Sequence, residues 1–96
     1  MIHRQRHVLR LFVAGDSPNS TLAIANVKAI CDTYLPGSHD IEIIDVFREP
    51  KLALAGRILM TPALVKLSPP PVRSIAGTLT DTEAVLNTLG LNPTTV

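Results

Sequence analysis

A nearly continuous apolar run over residues 8–13 constrains the fold of this chain more than any other segment. Such a run is typical of a central strand that is covered on both faces of a sheet. Residues 15–16 interrupt it, and apolar side chains then recur at helical spacing over 22–34. A Leu-Pro-Gly breaker at 35–37 ends this helix, and β-branched residues over 41–46 predict a second strand. A helix between two strands favours a parallel, right-handed strand–helix–strand unit.

The second half of the chain gives weaker local signals. It predicts a short helix over 50–55, strands over 63–67 and 72–75, and a final helix from residue 80 or 81 to 89. The predicted order is therefore β-α-β-α-β-β-α. Segment 50–67 is apolar enough to be helix or strand, however. Two interpretations stay open, namely weak local signals or two competing packings of one sequence.

Polar residues next to these segments predict how the helices begin. Ser17 or Asn19 can cap the first helix. Thr80 or Asp81 can cap the last helix, and Thr80 with Glu83 fits a capping box. Asp45, at the end of the second strand, is interpreted as a helix cap rather than as an acidic contact for a partner.

Composition limits the classes of function. The 96 residues suit one small domain, 1–96 with an ordered core of about 8–91, and 46% hydrophobic residues supply a core. So short a chain would bury more surface as a dimer or tetramer. The net charge of +1 predicts no nucleic-acid binding, and no apolar run approaches the ~18 residues of a membrane span. No signal-peptide cleavage site is evident, so we expect a cytoplasmic protein.

The reactive side chains do not form a recognisable catalytic or metal site. Cys31 is the single cysteine, which excludes an internal disulfide and argues against structural zinc; we interpret it as a buried apolar residue. His3, His7 and His39 lack the spacing of metal ligands. No nucleophile elbow and no glycine-rich nucleotide loop follows the first strand. We therefore expect no catalytic residue, cofactor or metal, and no enzymatic activity.

The first strand–helix junction resembles the one at which thioredoxin-like proteins place their redox Cys-x-x-Cys motif. Ser17 and Ser20 stand at the two candidate positions. Because a hydroxyl cannot form a disulfide, the resemblance implies a thioredoxin-like fold that binds a partner and has no dithiol chemistry. The alternative is a thioredoxin-like redox or stress-response protein that uses Cys31 alone. A chaperone-like stress adaptor is a third interpretation.

Longer stretches resemble the KaiB family of cyanobacterial circadian clock proteins. The most specific are Ile-Leu-Met-Thr-Pro-Ala-Leu at 58–64 and Pro-Pro-Pro-Val-Arg at 69–73. Further matching stretches lie at 11–15, 17–20, 44–46, 50–53 and 75–77. Together they cover nearly everything from 8 to 91, and their ordered combination is more specific than any single piece.

The resemblance implies a non-enzymatic protein that binds KaiC, a hexameric RecA-like ATPase, in its phosphorylated state and then sequesters KaiA. It also implies two folds that share their first half. One is a monomeric thioredoxin-like form that binds KaiC, and the other is a ground-state form, often tetrameric, of order β-α-β-β-α-α-β. A similar domain serves as the sensor of the histidine kinase SasA. For the isolated chain we expect the thioredoxin-like order, because the capping box at Thr80 favours a C-terminal helix.

The chain departs from the clock pattern at three places. Residues 54–57 are Leu-Ala-Gly-Arg, where clock KaiB proteins usually have an acidic pair followed by Asp-Lys. Thr78 replaces the usual aspartate after Gly77, and 91–96 lacks the usual acidic and aromatic tail. We therefore expect a divergent homologue whose partner is a KaiC-like ATPase in clock, timing or stress regulation. The departures weaken the expectation of KaiA-like or histidine-kinase partners.

Two sets of residues are candidates for this binding role. Basic residues of the second half predict a positive face that orients a partner, the alternative being ordinary solvated charge: Arg48, Lys51, Arg57, Lys66 and Arg73. Residues with special backbone preferences are predicted to shape or switch the fold: Gly15, Pro18, Pro62, Pro70 and Gly77. The resemblance places Thr61-Pro62 at the cis-proline position of thioredoxin-like proteins.

Overall fold

Three helices pack on a four-stranded mixed sheet. The computed structural model describes residues 5–91. Along the chain the elements are β1 His7–Val13, α1 Pro18–Tyr34, β2 His39–Asp45, α2 Pro50–Ala55, β3 Ala63–Ser68, β4 Arg73–Ala76 and α3 Thr82–Thr88. This order confirms the thioredoxin-like β-α-β-α-β-β-α prediction, and the ground-state alternative is not the one observed.

The strand order β2-β1-β3-β4 gives the sheet two different ends. β1 and β2 are parallel, whereas β3 is antiparallel to β1 and β4 is antiparallel to β3. β1 and β2 therefore end at the edge where β3 begins, so that Val13, Asp45 and Ala63 lie close together; we call this edge the loop end. The opposite edge, where Ser68 and Arg73 flank the β3–β4 turn, is called the hairpin end.

β1 is buried because it lies between β2 and β3 with helices on both faces. Its odd-numbered residues over 9–13 pack under α1 and α3, together with Leu64 of β3. Phe12 points to the other face, where it packs against Val65 beneath α2. This cover on two sides explains why the strand is almost continuously apolar.

α1 begins where local chemistry favours it. Ser17 is the N-cap, since its Oγ accepts a hydrogen bond from the Ser20 backbone N–H at 3.2 Å, and Pro18 lies in the first turn. The preceding turn contains Gly15 at a φ of +58°, where a side chain would be strained. One of the two predicted caps is thus confirmed, and the Leu-Pro-Gly breaker does end the helix at Tyr34.

α3 begins one residue later than the capping box requires. Its N-cap is Asp81, whose Oδ1 accepts a hydrogen bond from the Ala84 backbone N–H at 3.1 Å. Of the two predicted caps, Asp81 is therefore confirmed, and the capping box of Thr80 with Glu83 is wrong. Asp81 is the last residue with an extended backbone, and its short carboxylate reaches the free N–H groups of the first turn directly.

Candidate functional site

The β1–α1 turn contains the two serines that stand in place of a dithiol motif. Ser20 is buried, and its Oγ accepts hydrogen bonds from the Ser17 hydroxyl at 2.8 Å and from the Ala14 backbone N–H at 3.1 Å. Both hydroxyls therefore hold the turn in place. Among residues 5–91, neither is hydrogen-bonded to a basic side chain that could activate it as a nucleophile.

Asp45 joins this turn to the turn that follows β2. Its Oδ1 accepts hydrogen bonds from the backbone N–H groups of Gly15 at 3.2 Å and Phe47 at 2.9 Å. The N-cap of α2 is Glu49, which makes no side-chain cap bond. The interpretation of Asp45 as a helix cap is therefore wrong, because it lies too early in the chain to reach the first turn of α2. Its carboxylate instead fixes the backbone from which Phe47 projects.

An apolar groove of about 270 Å³ opens beside these two turns. Three of the residues that line it carry large exposed side chains, namely Phe47 at 75%, Leu59 at 96% and Met60 at 64%. The remaining lining residues are Ala14, Val46, Ala53, Ile58 and Thr61. Grouped apolar side chains with this exposure mark interaction surfaces. Sequence reasoning missed all three exposed residues, and the available signal for two of them was an apolar segment before Pro62 that suited both helix and strand.

Prolines and a glycine shape the loops at both ends of β3. Pro62 follows a cis peptide bond, and its carbonyl accepts a hydrogen bond from the Gly77 backbone N–H at 2.8 Å. Gly77 takes a φ of +114°, which a side chain would disfavour. Pro70 lies in the β3–β4 turn, where the peptide bonds before Pro69 and Pro71 are cis. A role for these residues in a change of fold stays a prediction.

Three of the five candidate basic residues lie around α2. Arg48 precedes the helix, Lys51 lies in its first turn and Arg57 follows it, and each is exposed. The Nε of Arg48 is 4.0 Å from Oδ2 of Asp45, which is the outer limit of an ion pair. They lie close in sequence to residues that line the apolar groove, but none of the three lines the groove itself.

The other two basic candidates lie at the hairpin end. Lys66 is only 2% exposed, because it follows Leu64 by two residues and so points to the same covered face of the sheet. Arg73 lies opposite Lys66 on β4 and is exposed. The five candidates therefore do not form a single exposed face.

Cys31 is wholly buried in the core between α1 and the sheet. Burial raises the pKa of its thiol to about 11, and the neighbouring Asp32 carboxylate acts in the same direction. A thiol with this pKa is protonated near neutral pH and reacts slowly. The interpretation as a buried apolar residue is confirmed, and a redox role for Cys31 loses its physical basis.

The histidines within the described residues bind backbone carbonyls. Nε2 of His7 lies 2.9 Å from the Leu89 carbonyl oxygen, and Nδ1 of His39 lies 2.7 Å from that of Leu35. Over 5–91, no group of three or more His, Cys, Asp or Glu side chains is placed to hold a metal ion, and His3 lies outside that range. No helix of the same part of the chain is long and apolar enough to cross a membrane.

The sequence itself identifies the family. A profile of the KaiB domain matches residues 10–91. The chain belongs to the KaiB family. The circadian clock oscillator protein KaiB of Prochlorococcus marinus subsp. pastoris is 44% identical over 91 residues, which are 95% of this chain and 85% of that protein. The protein of the same name from Gloeothece citriformis is 46% identical over 88 residues, covering 92% and 83%.

Solved structures confirm the thioredoxin-like architecture of this KaiB-family chain. The N-terminal domain of Synechococcus elongatus SasA superposes with a TM-score of 0.75 at 27% identity, covering all of this chain and 94% of that domain. Mitochondrial thioredoxin 3 of Saccharomyces cerevisiae gives a TM-score of 0.72 at 14% identity, covering 91% and 79%. The second likeness shows the fold alone.

Proposed function

We propose that this KaiB-family chain is a non-enzymatic, cytoplasmic regulator that binds a KaiC-like ATPase through the loop end of its sheet. The observation that carries the proposal is the apolar groove with Phe47, Leu59 and Met60 exposed around it. Membership of the family supports the class of partner, because relatives of this chain are named circadian clock oscillator proteins.

The groove suits a protein surface better than a small molecule. At about 270 Å³ it is below the ~300–1,000 Å³ of most small-molecule sites. Apolar anchors surrounded by charged residues are typical of protein interfaces. Arg48, Lys51 and Arg57 are exposed cations near the groove in sequence, and we expect them to orient acidic residues of the partner.

The polar groups near the groove support binding rather than catalysis. The hydroxyls of Ser17 and Ser20 are committed to the turn, and the Asp45 carboxylate is committed to two backbone N–H groups. Within 5–91, the single thiol lies in the core and not at the groove. The surface therefore offers contact area without an activated nucleophile.

A change of fold in the second half is part of the proposed function. The first half is held by its own contacts, including the β1–β2 pairing over 7–45 and the Asp45 carboxylate. Segment 50–67, by contrast, carries conflicting local preferences. We expect two slowly interconverting sets of NMR amide signals, with residues 8–46 least changed, and a homo-oligomer for the second form. A single set at all temperatures and concentrations would contradict the change of fold.

The binding surface is tested by placing a negative charge in the groove. Leu59→Asp replaces an apolar side chain that is 96% exposed by a carboxylate. The exposed position should tolerate this change in the fold, while the apolar contact with a partner is lost. Val72→Asp makes the same change at the hairpin end, where Val72 is 64% exposed, and is the matched control. The chain is incubated for hours with the purified KaiC-like ATPase of the same genome, in ATP and in ADP, before size-exclusion chromatography.

We expect the wild type and Val72→Asp to elute with the ATPase and Leu59→Asp to lose at least about tenfold in affinity. Binding of all three alike would place the contact elsewhere on the chain. Absence of binding by the wild type in both nucleotide states would reject the partner.

A further inference from the structure

A second cavity, of about 510 Å³, lies at the hairpin end, away from the apolar groove. The start of β1, the proline-rich β3–β4 turn and the end of α3 enclose it. Its polar side chains are Gln5, His7, Lys66, Arg73 and Asn87. Of the residues that line it, none is acidic.

Two cations face each other in this cavity. The register of β3 and β4 places Lys66 directly opposite Arg73. Directly opposed residues of an antiparallel pair project from the same face, and like charges at such positions repel. Lys66 is only 2% exposed. Across residues 5–91, neither cationic side chain has an ion-pair or hydrogen-bond partner.

The backbone carbonyls at the end of α3 already have other donors. The Leu89 carbonyl accepts a hydrogen bond from His7, with 2.9 Å between the atoms. The carbonyls of Leu86 and Asn87 accept from backbone N–H groups of the chain that follows the helix. Within residues 5–91, the ammonium at the wall of this cavity therefore neither caps the helix nor has a counter-charge.

The space beside the ammonium is kept open by a glycine. A Cβ atom on Gly90 would lie 3.6 Å from Nζ of Lys66, in contact with the charged group. Gly90 has a φ of +80°, so the helix end also requires a residue without a side chain there. The ammonium thus remains reachable from the cavity although the residue is almost fully buried.

We propose that this cavity binds a small organic oxyanion, a compound that carries a phosphate or carboxylate group, between Lys66 and Arg73. A guanidinium group binds two oxygens of such an anion at once, and the ammonium adds a point charge. The side-chain amides of Gln5 and Asn87 are further donors in the wall. A volume of about 510 Å³ leaves room for the rest of a small molecule against the prolines.

The test is an NMR titration of the full chain with inorganic phosphate and, separately, with citrate, at an ionic strength held constant with sodium chloride. We expect saturable shifts of the Lys66, Arg73 and Gly90 amide signals. Lys66→Met keeps the length of the buried side chain and removes its charge, and Arg73→Gln changes an exposed residue. Each should weaken binding about tenfold or more. Arg57→Gln, a basic residue outside this cavity, is the matched control and should bind as the wild type does.

The two probes also separate the sources of the anion. Saturable binding of phosphate alone supports a phosphorylated ligand, and saturable binding of citrate alone supports a carboxylate. Shifts that grow linearly with either anion, or that chloride reproduces, would overturn the proposal. So would wild-type affinity in Arg73→Gln, a variant on an exposed edge strand that tests the site even if Lys66→Met does not fold.

Discussion

The loop end and the hairpin end of the sheet differ in what they leave without a partner. At the loop end the Asp45 carboxylate is bound by two backbone N–H groups, while the apolar side chains of Leu59 and Met60 are exposed to solvent. At the hairpin end, within residues 5–91, it is the cations Lys66 and Arg73 that lack a counter-charge. One end therefore gains by removing apolar surface from water, and the other gains by neutralising charge.

The largest expected effect on stability comes from truncating a core side chain on one face of the sheet. Phe12→Ala empties the core beneath α2, where Phe12 packs against Val65 and Ile58. We expect a loss of about 3–5 kcal/mol in the free energy of unfolding, measured in urea. Hydrogen exchange should accelerate most over 50–60, at the loop end.

The matched change for the other face is Leu9→Ala. Leu9 is wholly buried and lies opposite Lys66 in the sheet. Leu9→Ala should lower the free energy of unfolding by about 2–5 kcal/mol and accelerate hydrogen exchange mainly near the hairpin end. Equal acceleration at both ends in both variants would show that the two ends are not separable.

Removing the charge of Lys66 is expected to change the free energy of unfolding in the opposite direction. In chloride buffer without phosphate, Lys66→Met should raise the free energy of unfolding by about 1 kcal/mol, because it removes the repulsion between Lys66 and the directly opposed Arg73. Lys51→Met, on the exposed face of α2, should change it by less than ~0.5 kcal/mol. A loss of stability in Lys66→Met would mean that the ammonium already has a counter-charge.

The buried Cys31, in the core between the two ends, should make the stability of the fold depend on pH. The pKa of Cys31 is raised from 9.0 to about 11, so the unfolded chain loses this proton at a lower pH than the folded chain does. The free energy of unfolding is unaffected by this group below pH 9 and falls as the pH rises through 11, by at most about 3 kcal/mol. Cys31→Ala should remove this difference in urea unfolding measured between pH 8 and pH 11. The same pH dependence in both proteins would assign it to other groups.

The smallest expected effect concerns the carboxylate that organises the loop end. Asp45→Ala removes the acceptor of the Gly15 and Phe47 N–H groups and should cost about 1 kcal/mol. Asp45→Asn retains an acceptor oxygen and should recover most of that loss. If the alanine variant also binds the KaiC-like ATPase normally, the position of Phe47 is not part of the interface.

The first half of the fold was predictable because each boundary has a local chemical cause. An apolar run, a Ser-Pro helix start and a Pro-Gly stop specify β1 and α1 to within about a residue of their observed ends. In the second half the order of elements was correct, but Thr80 and Asp81 both fit a cap. Only the backbone of the preceding loop selects Asp81.

Neither candidate site could be read from local sequence. The exposure of Leu59 and Met60 depends on how α2 packs against Phe12, a contact across more than forty residues of chain. The burial of Lys66 depends on the position of α3, and its opposition to Arg73 depends on strand register. Charge identified both cations as candidates, yet tertiary structure decides which face they share.

Because Lys66 and Arg73 lie opposite each other, a bound anion could stabilise the second half of the chain in its present fold. The two charges face each other only while β3 and β4 are paired. An anion bound between them adds its binding free energy to this arrangement and to no order that separates the strands, about 2.7 kcal/mol at a hundredfold excess over its Kd. In the proposed change of fold, a small metabolite would therefore favour the thioredoxin-like form, acting at the end of the molecule opposite the proposed protein interface.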